Sequence, residues 1–339
     1  MDDDAPVWHQ PVIGETLPRA ALALPGLEAL QLFTDARVLS PPISYLTGMS
    51  LTEVGPGTAR FDMPITGWLV GPHGRSYLGV LAILADGPLG CAIHTVLPAG
   101  IGYTTTELSL SLVRPVPEEG VLSARARVIY SGRSTALSDA EIVTEDGRLI
   151  AHCTTRCAVF PAPAVDSELG DLPVRDVAVP PHAPYRQQVR GHVLPDEVWD
   201  SHTGLEVLQG QASGELPAPP IGELLGLGPT AVAEGSATFS LPAHGWLTQP
   251  LGLVEGGVTA CLADSAMAAA VQTTVTDGRA YAPIDLRVNF LRPVPPDGRR
   301  LVATAEVAHR TRSIAYTRSD VHNEDGKVVA LATATALYR

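Results

Sequence analysis

The chain has 339 residues, of which 45% are hydrophobic, and its formal net charge is −13 at pH 7. That length is sufficient for two domains with separate cores. The negative charge argues against nucleic acid and anionic membrane surfaces as partners, because their phosphates would be repelled. No window has the roughly 20 uninterrupted apolar residues of a membrane-spanning helix, and the acidic start MDDDAPVW is unlike a secretory signal, so we expect a cytoplasmic protein. The four cysteines are expected to be buried thiols rather than a disulfide framework.

A tandem repeat occupies most of the chain. The tripeptide GWL occurs at 67–69 and 245–247, LAD at 84–86 and 262–264, and RPVP at 114–117 and 292–295, always 178 residues apart. Chance does not keep such a register, so the sequence predicts an internal duplication.

The repeat divides the chain into four parts. Residues 1–25 are rich in Pro, Asp and Ala, and we expect them to have little structure of their own. The two copies are predicted to be domains over 26–160 and 204–339. The proline-rich stretch 161–203 between them is predicted to be a linker.

Each copy is predicted to contain a short helix, a strand, a long apolar helix and four further strands. In the first copy the predicted short helix is 27–36, the first strand 58–64, the long helix 79–96 and the four further strands 103–113, 121–130, 135–145 and 148–159. In the second copy the same elements are predicted at 205–212, 236–242, 257–275, 281–291, 300–310, 313–323 and 327–337. Asp-Gly pairs at 146–147 and 325–326 indicate tight hairpins. A helix that is apolar nearly all round must be wrapped by a sheet, which predicts an α+β fold whose edge strand can pair with the other copy.

The start of the second long helix is the first candidate site. Gln249 and a proline precede the Gly256–Gly257 pair, and the helix then has a single carboxylate, Asp264, about two turns along. Unpaired backbone N–H groups at a helix start can face an electron-rich group. Burying a carboxylate on an apolar helix costs free energy unless the group is hydrogen-bonded or has a functional role. The first copy repeats this carboxylate as Asp86.

These features resemble a known family. The stretches PLGLVEGGVTACLADSAM (250–267), DLRVNFLRPVP (285–295) and EDGKVVALATATALYR (324–339) are similar to hotdog-fold thioesterases of the phenylacetate-pathway (PaaI-like) type. The resemblance covers both copies and implies two tandem hotdog domains, each an antiparallel sheet around a long central helix. It further implies hydrolysis of acyl-CoA thioesters without a metal or redox cofactor, coenzyme A being part of the substrate. Double-hotdog chains of this kind can also pair as a homodimer.

The helix-start motif of that family has an amide residue, then His-Gly-Gly, then a carboxylate. In the second copy these positions hold Gln249, Glu255 in place of the His, Gly256, Gly257 and Asp264; in the first copy they hold Gly71, Tyr77, Leu78, Gly79 and Asp86. A small hydroxyl residue often seen on the next strand falls at Thr105 in the first copy and at Pro283 in the second.

In hotdog dimers the site joins the helix start of one subunit to the carboxylate of the other. The resemblance therefore implies two unequal sites, one built from Gln249, Gly256 and Gly257 with Asp86 and Thr105, the other from Gly71, Tyr77 and Leu78 with Asp264 and Pro283. We expect one working site per chain, the first, with Asp86 as its carboxylate.

Thioester hydrolysis needs a polarised carbonyl and an activated nucleophile. The N–H of Gly256 can hold the carbonyl oxygen, since glycine allows close approach. Asp86 can deprotonate water or attack the carbonyl directly, and both routes stay open. Gln249 and Thr105 can orient the reacting groups. The structural alternatives are that Asp86, followed by Gly-Pro, only ends or bends its helix, that Asp264 is a buried structural carboxylate, and that Gln249 is a loop residue.

Glu255 is included among the candidate substrate-binding residues. A negative charge near a developing oxyanion is repulsive, so the side chain is expected to turn away or to cap the helix. If it lies close to Asp86, like-charge coupling would raise a pKa and favour a general acid.

Two further sets of residues have alternative interpretations. Arg114, Arg292 and Arg312 are candidates for binding the anionic coenzyme A, the alternative being ordinary surface ion pairs. The aromatic residues that lie in or beside predicted strands are expected to be core rather than pocket lining: Trp68, Trp246, Phe239 and Phe290.

Together these observations favour an acyl-CoA thioesterase, and two alternatives stay open. A dehydratase or hydratase of acyl thioesters shares the fold, but no His follows Asp86 or Asp264 at the spacing such enzymes use. A catalytically silent acyl-CoA or lipid-binding protein is compatible with the altered first-copy motif and with Glu255.

Overall fold

A computed structural model describes residues 6–162, 169–275 and 280–338. Residues 1–5 of the predicted extension and 163–168 of the predicted linker lie outside these ranges. The helices of the described residues are α1 (Gly26–Thr34), α2 (Pro42–Thr47), α3 (Leu78–His94), α4 (Asp196–Ser201), α5 (Gly204–Ser213), α6 (Pro220–Leu225) and α7 (Gly256–Gln272). The strands are β1 (Ser50–Gly55), β2 (Thr58–Pro64), β3 (Ile101–Leu112), β4 (Val121–Ser131), β5 (Thr135–Thr144), β6 (Leu149–Pro161), β7 (Gly228–Ala233), β8 (Ser236–Pro242), β9 (Tyr281–Phe290), β10 (Arg300–Arg310), β11 (Ile314–Asn323) and β12 (Val328–Tyr338).

All these strands form one antiparallel sheet, in the order β1-β2-β4-β5-β6-β3-β9-β12-β11-β10-β8-β7. The two copies meet at β3 and β9, where Leu108 lies opposite Val288 and Leu110 opposite Leu286. These side chains are buried, so the join between the copies is apolar on that face. The predicted pairing of one edge strand with the other copy is therefore confirmed within a single chain.

Alternation of apolar and polar residues explains the one-sided burial of strands such as β2. Its buried residues Ala59, Phe61 and Met63 alternate with the more accessible Arg60 and Asp62. The predicted Asp-Gly turns lie between β5 and β6 and between β11 and β12. Gly147 and Gly326 adopt φ values of +81° and +73° there, a left-handed conformation that glycine accepts without steric cost.

The long helices α3 and α7 lie inside the sheet and pack against each other. Nearly every residue of both is buried, as their uniformly apolar sequences predict. The helices approach closely at glycines: a Cβ on Gly257 would lie 2.4 Å from the carbonyl oxygen of Ala82, and one on Gly79 would lie 2.9 Å from the Cα of Cys261. This contact places the start of each helix beside the middle of the other.

The architecture is two tandem hotdog domains of the α+β class, as predicted. The predicted strands and long helices agree with the observed ones to within three residues at their ends. The helices α2 and α6 and the strands β1 and β7 had no counterpart among the predicted elements. The alternative that Asp86 ends its helix at Asp-Gly-Pro is wrong, because α3 runs through Pro88 to His94. The alternative that Asp86 bends the helix stays a prediction.

The N-terminal segment differs from its prediction. Residues 6–25 contain two short 3-10 helices, Val7–His9 and Arg19–Ala23, and Val7 is fully buried. The indole N–H of Trp246 donates to the carbonyl oxygen of Gln10 at 3.1 Å, and the N–H of Leu17 donates to that of Pro250 at 2.8 Å. The composition, rich in Pro, Asp and Ala, predicts little structure, but these hydrogen bonds hold the segment against the second copy.

The predicted linker also contains short helices, namely Pro184–Arg186 and α4, within its described part. No helix of the described residues is long and apolar enough to cross a membrane.

Candidate active site

A cavity of about 310 Å³ lies where the start of α7 meets the middle of α3. Its walls are mostly apolar and come from both copies and from the N-terminal segment. Polar residues also line it, and one of them, Asp86, contacts the start of α7. The lining includes Leu17, Leu30, Phe33, Ile43, Met49, Phe61, Asp86, Cys91, His94, Tyr103, Thr105, Gln249, Glu255, Gly256, Thr259, Phe290 and Arg292.

Asp86 projects from α3 into this cavity and is held at both carboxylate oxygens. Its Oδ2 accepts a hydrogen bond from the backbone N–H of Gly257 at 3.1 Å, and its Oδ1 accepts one from the Thr105 hydroxyl at 3.3 Å. Burial raises the pKa of Asp86, while the hydrogen bonds from Gly257, Thr105 and Gly256 favour the ionised form and oppose that rise. The predicted cross-copy grouping of Asp86, Thr105, Gly256 and Gly257 is thus present as a set of contacts.

The two glycines at the start of α7 have different surroundings. A Cβ on Gly256 would lie 2.8 Å from Oδ2 of Asp86 and 3.4 Å from Cζ of Phe290, so this position faces the carboxylate and the cavity. A Cβ on Gly257 would instead collide with the backbone of α3. Gly256 therefore leaves room at the site, and Gly257 allows the two helices to approach.

Glu255 precedes the glycines and occupies the N-cap position of α7, yet its side chain makes no capping hydrogen bond. The residue is 3% exposed and lines the cavity. Burial first, and the neighbouring Asp86 carboxylate second, raise the pKa of Glu255 well above its ordinary value. The expectation that Glu255 turns away or caps the helix is wrong. The other interpretation, proximity to Asp86 with a raised pKa, agrees with the structure.

Of the four remaining predicted residues, two line the cavity and two do not. Gln249 lines the cavity, and its Oε1 accepts a hydrogen bond from the N–H of Leu251. Arg292 also lines the cavity, and its guanidinium donates to the carbonyl oxygen of Val328. Arg114 and Arg312 are exposed and are not among the lining residues, and Arg114 donates to the carbonyl oxygen of Leu149 at 2.8 Å. Of the three arginines, only Arg292 is placed to meet a bound ligand.

The second predicted site is filled by protein side chains. Asp264 is 2% exposed and accepts a hydrogen bond from the N–H of Gly79 at 2.7 Å. Burial raises its pKa to about 7. The Tyr77 hydroxyl lies 3.1 Å from the Ser265 hydroxyl, beside Cys261. Neither Asp264 nor Tyr77 lines the cavity.

The other members of that second site follow the same pattern. Leu78 is fully buried, Gly71 precedes the start of α3, and Pro283 pairs with Ala336 inside the sheet. None of the three lines the cavity.

Several cavity residues had no signal in the sequence. Phe290 was expected in the core but is only half-buried and lines the cavity, because β9 ends at the helix crossing. Leu17 reaches the cavity from the N-terminal segment. His94, in the last turn of α3, is 8% exposed, and burial lowers its pKa to about 4, so it is neutral near pH 7.

Comparison with known proteins agrees with this architecture. A family profile described as "Thioesterase superfamily" matches residues 73–151 and 251–330, one segment in each copy. A Pseudomonas aeruginosa protein, PA1618, which is provisionally named an esterase, is 30% identical over 116 residues, covering 34% of this chain and 79% of that relative.

The chain belongs to the thioesterase superfamily.

Two further matches bear on the fold and on one local segment. The crystal structure of the acyl-CoA thioesterase II TesB2 from Mycobacterium marinum has a TM-score of 0.53 at 13% identity, covering 88% of this chain and 98% of that one. At that identity the likeness concerns the fold alone. The medium/long-chain acyl-CoA thioesterase YigI of Salmonella typhimurium is 44% identical over 52 residues, which is 15% of this chain and 32% of that protein.

Proposed function

We propose that this thioesterase-superfamily protein hydrolyses acyl-CoA thioesters at one site per chain, the cavity beside Asp86. The single observation that supports this most strongly is the contact between the Asp86 carboxylate and the N–H of Gly257 at the edge of an apolar cavity. It joins a helix start from one copy to a carboxylate from the other.

In this proposal the thioester carbonyl lies against the backbone of Gly256. The N–H of Gly257 already donates to Asp86, so the N–H of Gly256 and the positive end of the α7 dipole stabilise the negative charge that develops on the carbonyl oxygen. Asp86 acts on the carbonyl carbon from the same side, either by deprotonating a water molecule or by direct attack. Thr105 fixes the orientation of the carboxylate through its hydrogen bond to Oδ1.

The acyl group is assigned to the apolar part of the cavity. Leu30, Phe33, Ile43, Met49 and Phe61 all line it, and a volume of about 310 Å³ falls at the lower end of the range of ligand sites. These walls suit a hydrocarbon or aromatic acyl chain. The local similarity to a medium/long-chain acyl-CoA thioesterase supports the same substrate class.

Arg292 is proposed to meet the anionic part of coenzyme A, because it is the cationic residue among those that line the cavity.

The test is release of free thiol from a panel of acyl-CoA esters with short, long and aromatic acyl groups. Asp86→Asn is expected to abolish turnover, because a neutral amide can neither accept the proton of water nor attack the carbonyl. Asp264→Asn, the matched carboxylate of the other copy, is expected to keep turnover, because Asp264 lies outside the cavity. Loss of activity only in Asp264→Asn would contradict the assignment. Binding of acyl-CoA without turnover by folded wild-type protein would instead support a silent binding protein.

A further inference from the structure

Glu255 is a buried carboxyl group without an assigned task. Its Oε1 is inaccessible to solvent and has no hydrogen-bond partner among the described residues. An unsatisfied buried polar atom costs free energy, so such a group in a native site needs an explanation. Glu255 also lines the cavity in which the reaction is proposed to occur.

The carboxyl groups of Asp86 and Glu255 differ in the hydrogen bonds that they accept. Asp86 accepts from the backbone of Gly257 and from the Thr105 hydroxyl, whereas Oε1 of Glu255 accepts from none of the described groups. Two neighbouring buried carboxyls cannot easily both ionise. The negative charge therefore belongs on Asp86, where donors stabilise it, and the proton belongs on Glu255.

The other ionisable groups on the cavity wall do not alter this distribution. They are Cys91, His94, Tyr103 and Arg292. Burial raises the pKa of the Cys91 thiol and of the Tyr103 phenol and lowers the pKa of His94 to about 4, so all three are neutral near pH 7. Arg292 is cationic but exposed, and its guanidinium is hydrogen-bonded to the carbonyl oxygen of Val328.

We propose that Glu255 is the general acid of the site and gives its proton to the departing thiolate sulfur. This inference rests on the proposed function. A pair of carboxyls whose surroundings favour opposite protonation states is the arrangement that acid–base catalysis requires.

The proposed reaction conserves protons and electron pairs. A water oxygen attacks the thioester carbon while Asp86 takes one of the water protons. The C–S bond then breaks, its electron pair goes to sulfur, and sulfur takes the proton of Glu255, which leaves a carboxylic acid and a free thiol. The proton held by Asp86 passes to Glu255 and restores the starting state.

The leaving group gives the sharpest test. An alkyl thiol has a pKa of about 8.5, near that of cysteine, so its thiolate must be protonated near pH 7. An aryl thiol that is already ionised at neutral pH needs no acid. Wild type and Glu255→Gln are therefore compared on an acyl-CoA ester and on the ester of the same acyl group with such an aryl thiol. The glutamine keeps the size and neutrality of the protonated side chain but has no acidic proton.

We expect Glu255→Gln to lower kcat/KM for the acyl-CoA ester by about 100-fold or more, the usual contribution of a general acid, with little change for the aryl ester. Thr259→Val is the matched control, because Thr259 is 3% exposed and lines the same cavity. Its ratio between the two esters should stay at the wild-type value.

Three outcomes are decisive. Equal losses on both esters would show a structural role for Glu255 and overturn the inference. Full activity of Glu255→Gln on both esters would also overturn it, since a neutral side chain would then suffice. Failure of wild type to hydrolyse any acyl-CoA ester would refute the proposed function itself.

Discussion

The helix start of α7 predicts that two adjacent glycines respond differently to the same substitution. In Gly256→Ala the new Cβ would lie 2.8 Å from Oδ2 of Asp86. A carbon and an oxygen need about 3.4 Å, so the carboxylate must move by roughly 0.6 Å. That movement perturbs the 3.1 Å hydrogen bond that Oδ2 accepts from the N–H of Gly257.

The expected size of the loss follows from that hydrogen bond. A hydrogen bond to a charged group contributes about 1.5–3 kcal/mol, which corresponds to roughly a 10- to 150-fold fall in kcat/KM if the contact is needed in the transition state. The methyl group also fills the space in which the thioester is proposed to lie. The free energy of unfolding should fall by no more than about the same 1.5–3 kcal/mol, because the end of a side chain can yield without moving the backbone.

Gly257→Ala is the comparison variant. Its Cβ would lie 2.4 Å from the carbonyl oxygen of Ala82 and 2.6 Å from the Cα of Ile83, and this backbone cannot move without separating α3 from α7. We expect a loss of about 3 kcal/mol or more of folding stability, at the upper end for overpacked cores.

The assay is urea unfolding together with kcat/KM for one acyl-CoA ester. An active Gly256→Ala enzyme with wild-type stability would refute the placement of substrate and carboxylate at Gly256. A Gly257→Ala protein as stable as wild type would refute the close helix contact.

Two further predictions concern Thr105 and Asp264. Thr105→Val removes a hydrogen-bond donor that lowers the pKa of Asp86. The acidic limb of the kcat/KM–pH profile should therefore move to higher pH, and activity should fall about tenfold. An unmoved limb would contradict a positioning role for Thr105. The pKa of Asp264 is about 7 in the folded protein, above its ordinary value of 3.8. Between pH 3.8 and pH 7 the folded state therefore binds a proton that the unfolded state has lost. The free energy of unfolding falls as the pH rises through this range, by about 4 kcal/mol at most. Asp264→Asn should remove this component, as measured by urea unfolding at pH 4 and pH 7.5; identical pH dependence in both proteins would contradict it.

Local patterns explain why the secondary structure was predictable. Alternation in strands such as β2, Asp-Gly turns and uniformly apolar helices are properties of neighbouring residues, and the duplication repeats the order of elements in both copies. The grouping of Asp86 with Gly256 came from the resemblance to a family whose site straddles two subunits. Periodicity alone does not specify which helix start meets which carboxylate.

The parts that could not be predicted depend on long-range packing. Arg114 and Arg292 occupy equivalent positions in the repeat, and of the two only Arg292 lies on the wall of the cavity. Leu17 reaches the cavity because its backbone is hydrogen-bonded to Pro250, a contact without any local sequence pattern. The local sequence predicts that Glu255 turns away or caps the helix, since capping is a local property, whereas its proximity to Asp86 depends on the packing of α7 against α3.

The two helix starts differ most at the residue before the glycine positions, where Tyr77 in the first copy corresponds to Glu255 in the second. Both carboxylates keep a backbone donor from the opposite helix, Gly79 for Asp264 and Gly257 for Asp86. The backbone hydrogen bond to the carboxylate is therefore the same in the two copies. The tyrosine ring packs against α7 beside Asp264, with its hydroxyl 3.1 Å from that of Ser265, and it occupies space at that helix start. At the start of α7 the shorter Glu255 lies on the wall of a cavity. The proposed acid role of its buried carboxyl is therefore specific to the second copy. Duplication preserved the backbone geometry of both sites, and two positions at each helix start separate a filled site from an open one: Tyr77 and Leu78 in the first copy, Glu255 and Gly256 in the second.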